Sequence, residues 1–453
     1  MRLMMCPMSI TRRSFLGAMT AAAWHRVPGA NDRVQVGFIG YGLIGAQHVY
    51  DFKNQKDVDL AALCDVYRPR LEEGLAACGP LAKGYGDFRK LLEDRDVQAV
   101  VISTPDHWHA LMTLMACAAG KDVYVEKPLT LFVEEGRWMV SAARHYGRVV
   151  EVGTQQRSGT HYRDAVELLR GGHIGKVHSA RMGFFRNVML GFGRPPHSDP
   201  PPGLDYDLWL GPAPLVPYNK NRSLYHFRWF WDYSGGQMTN LGAHEIDVVQ
   251  WAMQLKGPTA VSSSGGRFAL QDNGETPDTQ DSLLEYPGFT VLSSIREASQ
   301  GRGAGEGLEF FGTEGSLTLS RGGYQVLADK KVPPENQIPV FRGHPAGGPE
   351  RRREGEWGLW TEARAERASN SLLGSHVRDF LDCVKSRKRP VADVEGGHRT
   401  VTACHLANIS LRLGRKVWWD PEKEEIVGDR EASGWLVRPY RKPWDDVLES
   451  LRH

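Results

Sequence analysis

The chain has 453 residues, of which 41% are hydrophobic and 24% are charged, and its formal net charge is only +2. This length fits about two globular domains, and the composition gives no reason to expect general disorder. The small net charge argues against a nucleic-acid-binding surface. The six cysteines show no C-x-x-C spacing, so we expect buried free thiols and neither a zinc site nor a disulfide framework.

Residues 1–30 have the pattern of an export signal. Arg12 and Arg13 are followed by Phe15, Leu16 and a short, mildly apolar, alanine-rich stretch that is too short to span a bilayer. The pattern resembles a twin-arginine signal, so we expect the twin-arginine export machinery as a partner and a periplasmic location. The alternative is an ordinary basic tail on a cytoplasmic protein.

The segment over residues 31–154 predicts alternating strands and helices. Continuous apolar runs such as "VQVGFIG", "VDLAALCDV" and "DVQAVVIS" are separated by helical patterns. Strands of this kind are covered by helices on both faces of a parallel sheet. We therefore predict a doubly wound parallel sheet in this domain.

The pattern changes after Thr154. Residues 155–414 begin with a helix and continue with stretches of period two, such as "KVHSARMGFFRN" and "FTVLSSIREA". They predict an α/β domain with an open, mostly antiparallel mixed sheet, whose exposed face favours a homo-oligomer that light scattering would detect. Within it, residues 332–368 are rich in Pro, Gly, Arg and Glu and are predicted to be a flexible excursion. Residues 415–453 are predicted to be a tail that wraps over both domains.

A glycine-rich pattern follows the first predicted strand. Gly40, Gly42 and Gly45 form G-x-G-x-x-G, with Leu43 and Ile44 at the start of the first helix. The glycines permit a tight turn, the approach of a pyrophosphate to the backbone and close helix packing, while the helix N-terminus supplies positive potential. The strand–turn–helix context favours a dinucleotide site over a turn without a ligand.

Asp65 ends the second predicted strand, twenty residues beyond Gly45. A carboxylate there can accept hydrogen bonds from ribose hydroxyls and repels a 2′-phosphate, so we expect NAD. Arg68 and Arg70 follow closely and could accommodate that phosphate, which keeps NADP possible.

Two further loops follow predicted strands of the same sheet. In "STPDHWH", Thr104, Pro105 and His109 are expected to line the cofactor. His107 and His109 are two residues apart on a helix and point to different faces, so no metal site is expected. In "YVEKPLT", Glu126 and Lys127 lie at a strand end on the crevice side, where both are expected to line the cofactor. The lysine could hold a hydroxyl near the nicotinamide or simply be solvated.

The segment "GGQMTNLGAHEIDVVQWAM" places three polar residues on one stripe if a single helix runs through them. Asn240, His244 and Asp247 stand at i, i+4 and i+7, ahead of an apolar run. A helix that begins with polar residues on one face and continues with apolar residues could present the polar ones to a ligand.

These motifs together resemble the Gfo/Idh/MocA family of nicotinamide-dependent sugar and polyol oxidoreductases. The resemblance rests on the glycine pattern, Asp65, "STPDHWHA", "EKP" and "GGQMTNLGAHEID", and it extends from about Arg33 to Gly414. It implies a Rossmann domain followed by an α/β domain with an open mixed sheet. It also implies a nicotinamide cofactor and a carbohydrate substrate.

The resemblance also implies the catalytic set. The lysine of the family's EKP motif corresponds to Lys127, and its proton-transferring histidine corresponds to His244. Where many dehydrogenases of the family have Asp, this chain has Asn240, an amide that can orient a hydroxyl but cannot raise the imidazole pKa as a carboxylate would. Asp247 could supply that charge or hold structural hydrogen bonds.

Substrate contacts are expected from two other segments. These are Gln155 and Arg157 in "GTQQRS", and Arg228 and Trp229 in "YHFRWFWDYSGG", with Asp247 as a further candidate. For the tryptophan, simple packing is the alternative.

Three functions are compatible with these residues. In the first, Lys127 holds the reacting oxygen of a sugar or polyol, His244 removes its proton, and a hydride moves to the nicotinamide. The second is an NAD-dependent glycoside hydrolase that uses transient oxidation and elimination. The third is a non-catalytic sugar-binding or assembly protein that retains NAD structurally, which Asn240 slightly favours.

Overall fold

The computed structural model describes residues 33–301, 307–332 and 357–452. The predicted export signal lies outside the described residues, as does most of the predicted excursion at 332–368. The described chain forms two β-sheets with helices packed on them, as expected where apolar runs alternate with amphipathic helices.

The first sheet is parallel and has six strands. They are β1 (Val34–Ile39), β2 (Val58–Cys64), β3 (Lys83–Tyr85), β4 (Ala99–Ile102), β5 (Asp122–Val125) and β6 (Val150–Val152). Their order is β3-β2-β1-β4-β5-β6, so the direction of winding reverses between β1 and β4. Ligands bind to doubly wound sheets outside the carboxyl ends of the strands at such a reversal. The predicted parallel sheet is confirmed.

Five helices connect these strands. They are α1 (Leu43–Lys53), α2 (Arg68–Cys78), α3 (Phe88–Glu93), α4 (Asp106–Ala118) and α5 (Val133–His145). Strands β4 and β5 are buried along their whole length because helices cover both faces of the sheet, which explains their continuous apolar sequence.

Over the described residues, the second sheet has eleven strands. They are β7 (Val177–Asn187), β8 (Ala260–Gly266), β9 (Thr279–Tyr286), β10 (Phe289–Arg296), β11 (Ala298–Ser299), β12 (Gly307–Gly312), β13 (Gly315–Ser320), β14 (Gly323–Ala328), β15 (Arg364–Arg367), β16 (Val417–Asp420) and β17 (Glu425–Ile426). The order is β15-β14-β13-β12-β7-β10-β9-β8-β16-β17, with β11 paired to β7. Only β7 and β10 pair in parallel among these neighbours, so the predicted mixed, mostly antiparallel sheet is confirmed.

Strand β15 corrects part of the predicted excursion. Residues 364–367 pair with β14 in an antiparallel register that places Ala365 opposite Gln325. The sequence of this edge strand, "RAER", has no apolar alternation because most of its residues are exposed. Its position is set by backbone hydrogen bonds with β14, which a periodicity analysis does not detect.

The remaining helices pack on the sheets or join them. They are α6 (Thr160–Arg170), α7 (Tyr206–Leu210), α8 (Gly236–Asn240), α9 (Gly242–Met253), α10 (Leu372–Ser386), α11 (Val394–Leu413), α12 (Arg430–Ser433) and α13 (Trp444–Leu451), with 3₁₀ turns at Gln155–Ser158 and His226–Trp229. Helices α6, α9 and α11 cover one face of the second sheet, whose strands bury every second residue. The opposite face exposes Leu283, Leu292, Leu327 and Trp418, and association through this face stays a prediction.

Late segments of the chain return to the first sheet. Helix α10 buries Val377 and Phe380 against β1 and β5, and the Phe380 ring lies 5.8 Å from that of Tyr124. Helix α13 inserts Trp444 beside Trp108 of α4, with 4.8 Å between ring centroids. These apolar contacts fix both helices on the first sheet.

The polar stripe of the central segment does not lie on one helix, contrary to expectation. Helix α8 ends at Asn240 and α9 begins at Gly242, with Leu241 between them. The backbone N–H of His244 bonds to the carbonyl of Leu241, three residues earlier rather than four. The break lets Asn240 and His244 project from different helices.

The described helices include none with both the length and the apolar character needed to cross a bilayer. Cys64, Cys78, Cys117, Cys383 and Cys404 are free thiols, and all but Cys78 are buried. Burial raises the pKa of Cys78 to about 11, so this thiol is protonated at neutral pH.

Candidate active site

A cavity opens at the carboxyl ends of β1, β4 and β5, which we call the crevice cavity. On the side of the first sheet its lining includes Gly40, Gly42, Leu43, Ile44, Asp65, Arg70, Thr104, Pro105, Glu126 and Lys127. On the other side it is closed by Tyr225, Arg228, Trp229 and Asn240. Most of the residues predicted to bind the cofactor therefore meet in one place.

The glycine loop has the shape that a dinucleotide requires. Gly40 has a φ of +94°, and a Cβ there would lie 2.8 Å from the carbonyl oxygen of Ser103. A Cβ on Gly45 would lie 2.1 Å from the carbonyl oxygen of Gly40, so neither position tolerates a side chain. Gly42 faces the cavity, where the nearest atom to an added Cβ is Nη1 of Arg70 at 3.7 Å. The loop leaves bare backbone at the N-terminus of α1, which fits a pyrophosphate.

Asp65 is held rigidly at the far end of this cavity. Its two carboxylate oxygens accept hydrogen bonds from the backbone N–H groups of Tyr41 and Tyr67, at 2.7 and 2.8 Å. Burial raises the pKa of Asp65, against the opposing effect of these hydrogen bonds and of Arg70. The fixed carboxylate suits ribose hydroxyls, and Arg70 lines the same wall.

His109 lies beside the cavity rather than in its wall. Its ring nitrogens are 2.8 Å from the carbonyl oxygen of Pro128 and 2.9 Å from that of Thr104. The histidine therefore ties together two loops that line the cavity, and its predicted contact with the cofactor is replaced by this supporting role. The described residues contain no group of three or more His, Cys, Asp or Glu placed to hold a metal ion.

Glu126 supports the backbone of Lys127. One of its oxygens lies 2.7 Å from Nε2 of His48, and the other accepts the backbone N–H of Lys127 at 3.0 Å. The carboxyl is buried, and its pKa is lowered despite that burial because of the bonds with His48 and Lys127. The lysine therefore emerges from a strand end whose backbone is fixed.

The Lys127 side chain reaches the second domain at the break between α8 and α9. Its Nζ donates to both the side-chain oxygen and the backbone carbonyl of Asn240, each at 2.9 Å. Nδ2 of Asn240 donates to Oε1 of Gln237 at 2.9 Å, and Nε2 of Gln237 donates to Glu297 at 2.9 Å. Trp229 and Arg186 also donate to Glu297. We call this Lys127–Asn240–Gln237–Glu297 series the amide chain.

The two ends of the amide chain decide the direction of every bond in it. Lys127 can only donate and the Glu297 carboxylate can only accept. The oxygen of Asn240 must therefore face the lysine, and the nitrogen of Gln237 must face the glutamate. An aspartate at position 240 could accept from Lys127 but could not donate to Gln237. The asparagine is thus the residue that satisfies both neighbours.

His244 is buried beside this chain. It is 3% exposed, and its Nδ1 has no hydrogen-bond partner within the part of the chain that the structure describes. Burial lowers the pKa of His244 well below its usual value, and the charge of Lys127 lowers it further. The imidazole is therefore neutral at neutral pH and able to accept a proton.

A second cavity, the sheet cavity, lies between α9 and the second sheet. Its polar lining residues are Arg186, Gln237, His244, Glu245, Arg296, Glu297, Ser320 and Arg321. Arg186 lines both cavities, so the two adjoin where the amide chain runs. A molecule in the sheet cavity would have His244 on one side and the end of the crevice cavity on the other.

Arg157 and Asp247, both predicted to contact substrate, bind each other instead. The arginine donates Nε and Nη2 to the two carboxylate oxygens at 2.7 and 2.8 Å, and Thr400 donates to the same carboxylate. Asp247 is 1% exposed, and its carboxylate pairs with Arg157 rather than with His244. Gln155 is buried in the adjacent 3₁₀ turn, outside the lining of both cavities. The Arg157–Asp247 pair therefore joins the 3₁₀ turn to α9.

Arg228 and Trp229 do lie in the crevice cavity. The Arg228 guanidinium lies over the rings of Phe227 and Tyr225, 4.6 and 5.3 Å from their centroids. Trp229 is buried and donates its indole N–H to Glu297 at 2.8 Å, so it helps to fix the glutamate at the end of the amide chain.

Three residues of the site escaped the sequence analysis. Arg186 lies in β7 and Glu297 lies between β10 and β11, and nothing in the local sequence distinguishes either residue. Gln237 lies three residues before Asn240, in the same quoted segment, and that spacing could have indicated it. The alternating donors and acceptors of the amide chain depend on side-chain positions that the tertiary structure sets.

Two family models match the chain, and both belong to the Gfo/Idh/MocA oxidoreductases. The model of the NAD-binding Rossmann fold matches residues 34–154. The model of the C-terminal α/β domain matches residues 177–264 and 368–446. Together they cover more than half of the chain, which therefore belongs to this oxidoreductase family and carries its NAD-binding domain.

The chain is similar to proteins that act on carbohydrates. It is 23% identical over 402 residues to myo-inositol 2-dehydrogenase of Thermotoga maritima, which covers 87% of this chain and all of that protein. A glycosyl hydrolase family 109 protein of a Shewanella species is 39% identical over 120 residues, or 25% of this chain and 26% of that one. The structure of levoglucosan dehydrogenase with NADH and levoglucosan has a TM-score of 0.63 at 18% identity, covering 85% of this chain and 99% of that chain. This last similarity shows the shared fold.

The pKa values of the two catalytic candidates predict the pH dependence. Burial lowers the pKa of Lys127 to about 8, with Glu126 opposing the effect and Arg228 adding to it. If protonated Lys127 holds the reacting oxygen while neutral His244 takes the proton, kcat/KM for alcohol oxidation is flat near neutral pH. Above about pH 8 it falls about tenfold per pH unit.

Initial rates from pH 6 to pH 10 would measure this profile. Lys127→Arg keeps the cation at every such pH, so its residual activity is expected to lose the alkaline fall. A rate that rises through pH 8 would show instead that neutral Lys127 is the base.

Asn240→Asp is expected to move this alkaline fall. The new carboxylate faces Nζ of Lys127 and favours its protonated form, so the midpoint rises by about one pH unit or more. The lost donor to Gln237 costs about 1 kcal/mol of stability, which thermal unfolding would measure. Asn240→Ala removes both hydrogen bonds without adding charge and is the matched control. Identical midpoints for the Asp and Ala variants would contradict the amide chain's influence on Lys127.

Proposed function

We propose that this protein moves a hydride between a hydroxyl-bearing carbon of a sugar or polyol and NAD. One observation carries the proposal: Lys127 of the first sheet and the Asn240–His244 segment of the second domain converge where the crevice and sheet cavities adjoin. A reacting carbon at that junction would lie between the dinucleotide cradle and the proton acceptor.

The chain's own residues divide the work as follows. The ammonium of Lys127, already oriented by Asn240, donates a hydrogen bond to the reacting oxygen and stabilises negative charge on it. The neutral imidazole of His244 accepts the hydroxyl proton during oxidation and returns it during reduction. NAD, when bound on the Gly40–Gly45 loop and Asp65, supplies the hydride acceptor.

The second domain closes over the cofactor side of the site. Tyr225 and Arg228 line the crevice cavity together with the glycine loop, and Arg228 is a cation of that lining, as is Arg186, which pairs with Glu297. A guanidinium facing a pyrophosphate supports tight retention of the dinucleotide. Retention matters if the protein is exported, because a periplasmic enzyme must carry its cofactor with it.

The substrate class is supported by the relatives named above, which include a myo-inositol dehydrogenase and a levoglucosan dehydrogenase. A redox-neutral glycoside hydrolase is the second candidate, and the similarity over 120 residues to a glycosyl hydrolase family 109 protein favours it. In that reaction, oxidation of a ring hydroxyl would acidify a neighbouring C–H and the later reduction would restore the cofactor.

The experiment uses the full chain purified with whatever nucleotide it carries. The nucleotide is released by denaturation and identified, and NADH formation is measured against panels of sugars and polyols. Lys127→Met is expected to lower kcat about 100- to 1000-fold, because it removes a donor to the developing oxyanion. The variant should still carry nucleotide at the wild-type ratio. Lys90→Met, at an exposed surface lysine, is the control.

Other results would select the rival functions. Cleavage of an aryl glycoside without net NADH formation would replace the dehydrogenase with the hydrolase. A stoichiometrically bound nucleotide with no turnover of any sugar, polyol or glycoside would identify a binding protein.

Export by the twin-arginine route is a separate part of the proposal, supported by Arg12, Arg13 and the apolar stretch after them. Replacing both arginines by lysine is expected to retain the protein in the cytoplasm, since the pair is what the export machinery reads. Cell fractionation would measure the distribution, with Arg26→Lys as the control outside the pair. An unchanged distribution would contradict export by this route.

A further inference from the structure

The sheet cavity contains an unusual distribution of charge. Three arginines line it, and two of them are neutralised by carboxylates: Arg186 by Glu297 and Arg296 by Asp281. The third, Arg321, lies in the turn between β13 and β14. Across residues 33–301, 307–332 and 357–452, no carboxylate forms an ion pair with Arg321, so within this part of the chain its charge is unpaired.

The opposite wall of the cavity carries polar atoms without partners. Glu245 is 6% exposed, and its Oε2 has no hydrogen-bond partner among the described residues, while Oε1 accepts from Gln156 at 3.1 Å. Burial raises the pKa of Glu245 to about 7, so a large share of this carboxyl is neutral near pH 7. The unpartnered Nδ1 of His244 is the second such atom. Buried polar atoms without partners are costly, and a bound polar ligand would satisfy them.

Over the described residues that line the cavity, the summed charge is therefore positive. The Arg186–Glu297 and Arg296–Asp281 pairs each cancel, His244 is neutral, and Glu245 carries only part of a charge. The charge of Arg321 also reaches the catalytic side, since it lowers the pKa values of Lys127 and His244. A neutral polyol leaves this positive potential uncompensated, whereas an anionic substrate compensates it.

We propose that the sheet cavity accepts a sugar that carries a carboxylate, with Arg321 binding the carboxylate and Lys127 and His244 acting on a hydroxyl of the same molecule. This inference rests on the proposed function and names its substrate class. The planar guanidinium can donate two parallel hydrogen bonds to a carboxylate, a geometry that a neutral hydroxyl does not use. Because Arg321 is exposed at its turn, its attraction for the anion is screened by salt.

The test compares matched substrates that differ in charge. Glucuronate and galacturonate are paired with glucose and galactose, and the corresponding 6-phosphates form a third set. The wild-type protein is expected to favour the sugar acids by about tenfold or more in kcat/KM, because a charge-assisted bidentate contact is lost with the neutral sugar. That preference should shrink as the salt concentration rises. A preference for the neutral sugars or for the phosphates would overturn the assignment of a carboxylate.

Arg321→Gln removes the charge and keeps most of the side-chain length. It is expected to lower kcat/KM for the sugar acids about tenfold while changing the value for the neutral sugars by less than about threefold. Arg321→Lys should retain part of the preference. Arg181→Gln removes an exposed charge from β7 of the same sheet and should leave the preference intact. Equal losses for acidic and neutral sugars in Arg321→Gln would overturn the inference.

Binding separates this inference from the proposed function. Calorimetry with the nucleotide-loaded Lys127→Met protein measures sugar-acid affinity without turnover. Weaker binding of glucuronate after Arg321→Gln in that background supports the anion site even if no sugar is oxidised. Undiminished binding overturns the site even if neutral sugars are oxidised.

Discussion

The hydrogen-bond chain from Lys127 through Asn240 and Gln237 to Glu297 is the constraint on which the rest of the site depends. It begins at a strand end of the first sheet and finishes beside a strand of the second, so it crosses the crevice. Its ends are a pure donor and a pure acceptor, which fixes the orientation of both amides between them. Because its hydrogen bonds can run in only one direction, the buried chain positions Lys127 without adding a second carboxylate beside the ammonium.

Apolar packing provides the rigidity that this polar chain needs. Helix α10 packs on the first sheet, α11 contributes to the cores of both sheets, and α13 inserts Trp444 beside α4. Hydrogen bonds of 2.9 Å between the two domains tolerate little relative movement. The same burial lowers the pKa values of Lys127 and His244, so the packing also influences the protonation of these two side chains.

Much of the architecture and part of the site follow from local sequence. Gly40 and Gly45 are required by backbone contacts within one turn, so their pattern is readable wherever it occurs. Continuous apolar runs predict the strands of the parallel sheet, and alternating apolar and polar residues predict those of the open sheet. Lys127 and His244 lie in the motifs "EKP" and "GGQMTNLGAHEID", which can be recognised from the residues next to them in the chain. The helix break at Leu241 could not be predicted from the sequence, because the segment "GGQMTNLGAHEIDVVQWAM" is equally compatible with one continuous helix.

What the sequence by itself determined is therefore the order of elements and the dinucleotide loop, since each depends on neighbours close in the chain, while Lys127 and His244 stay its catalytic candidates. Only the tertiary structure decided which polar residues are already paired. Arg157 and Asp247 neutralise each other across 90 residues, and His109 joins two loops instead of facing the cavity. Arg186 and Arg296 pair with carboxylates, whereas Arg321 has no such partner among the residues that the structure describes. Such pairings depend on strand register and helix packing between distant segments, and no local pattern encodes them.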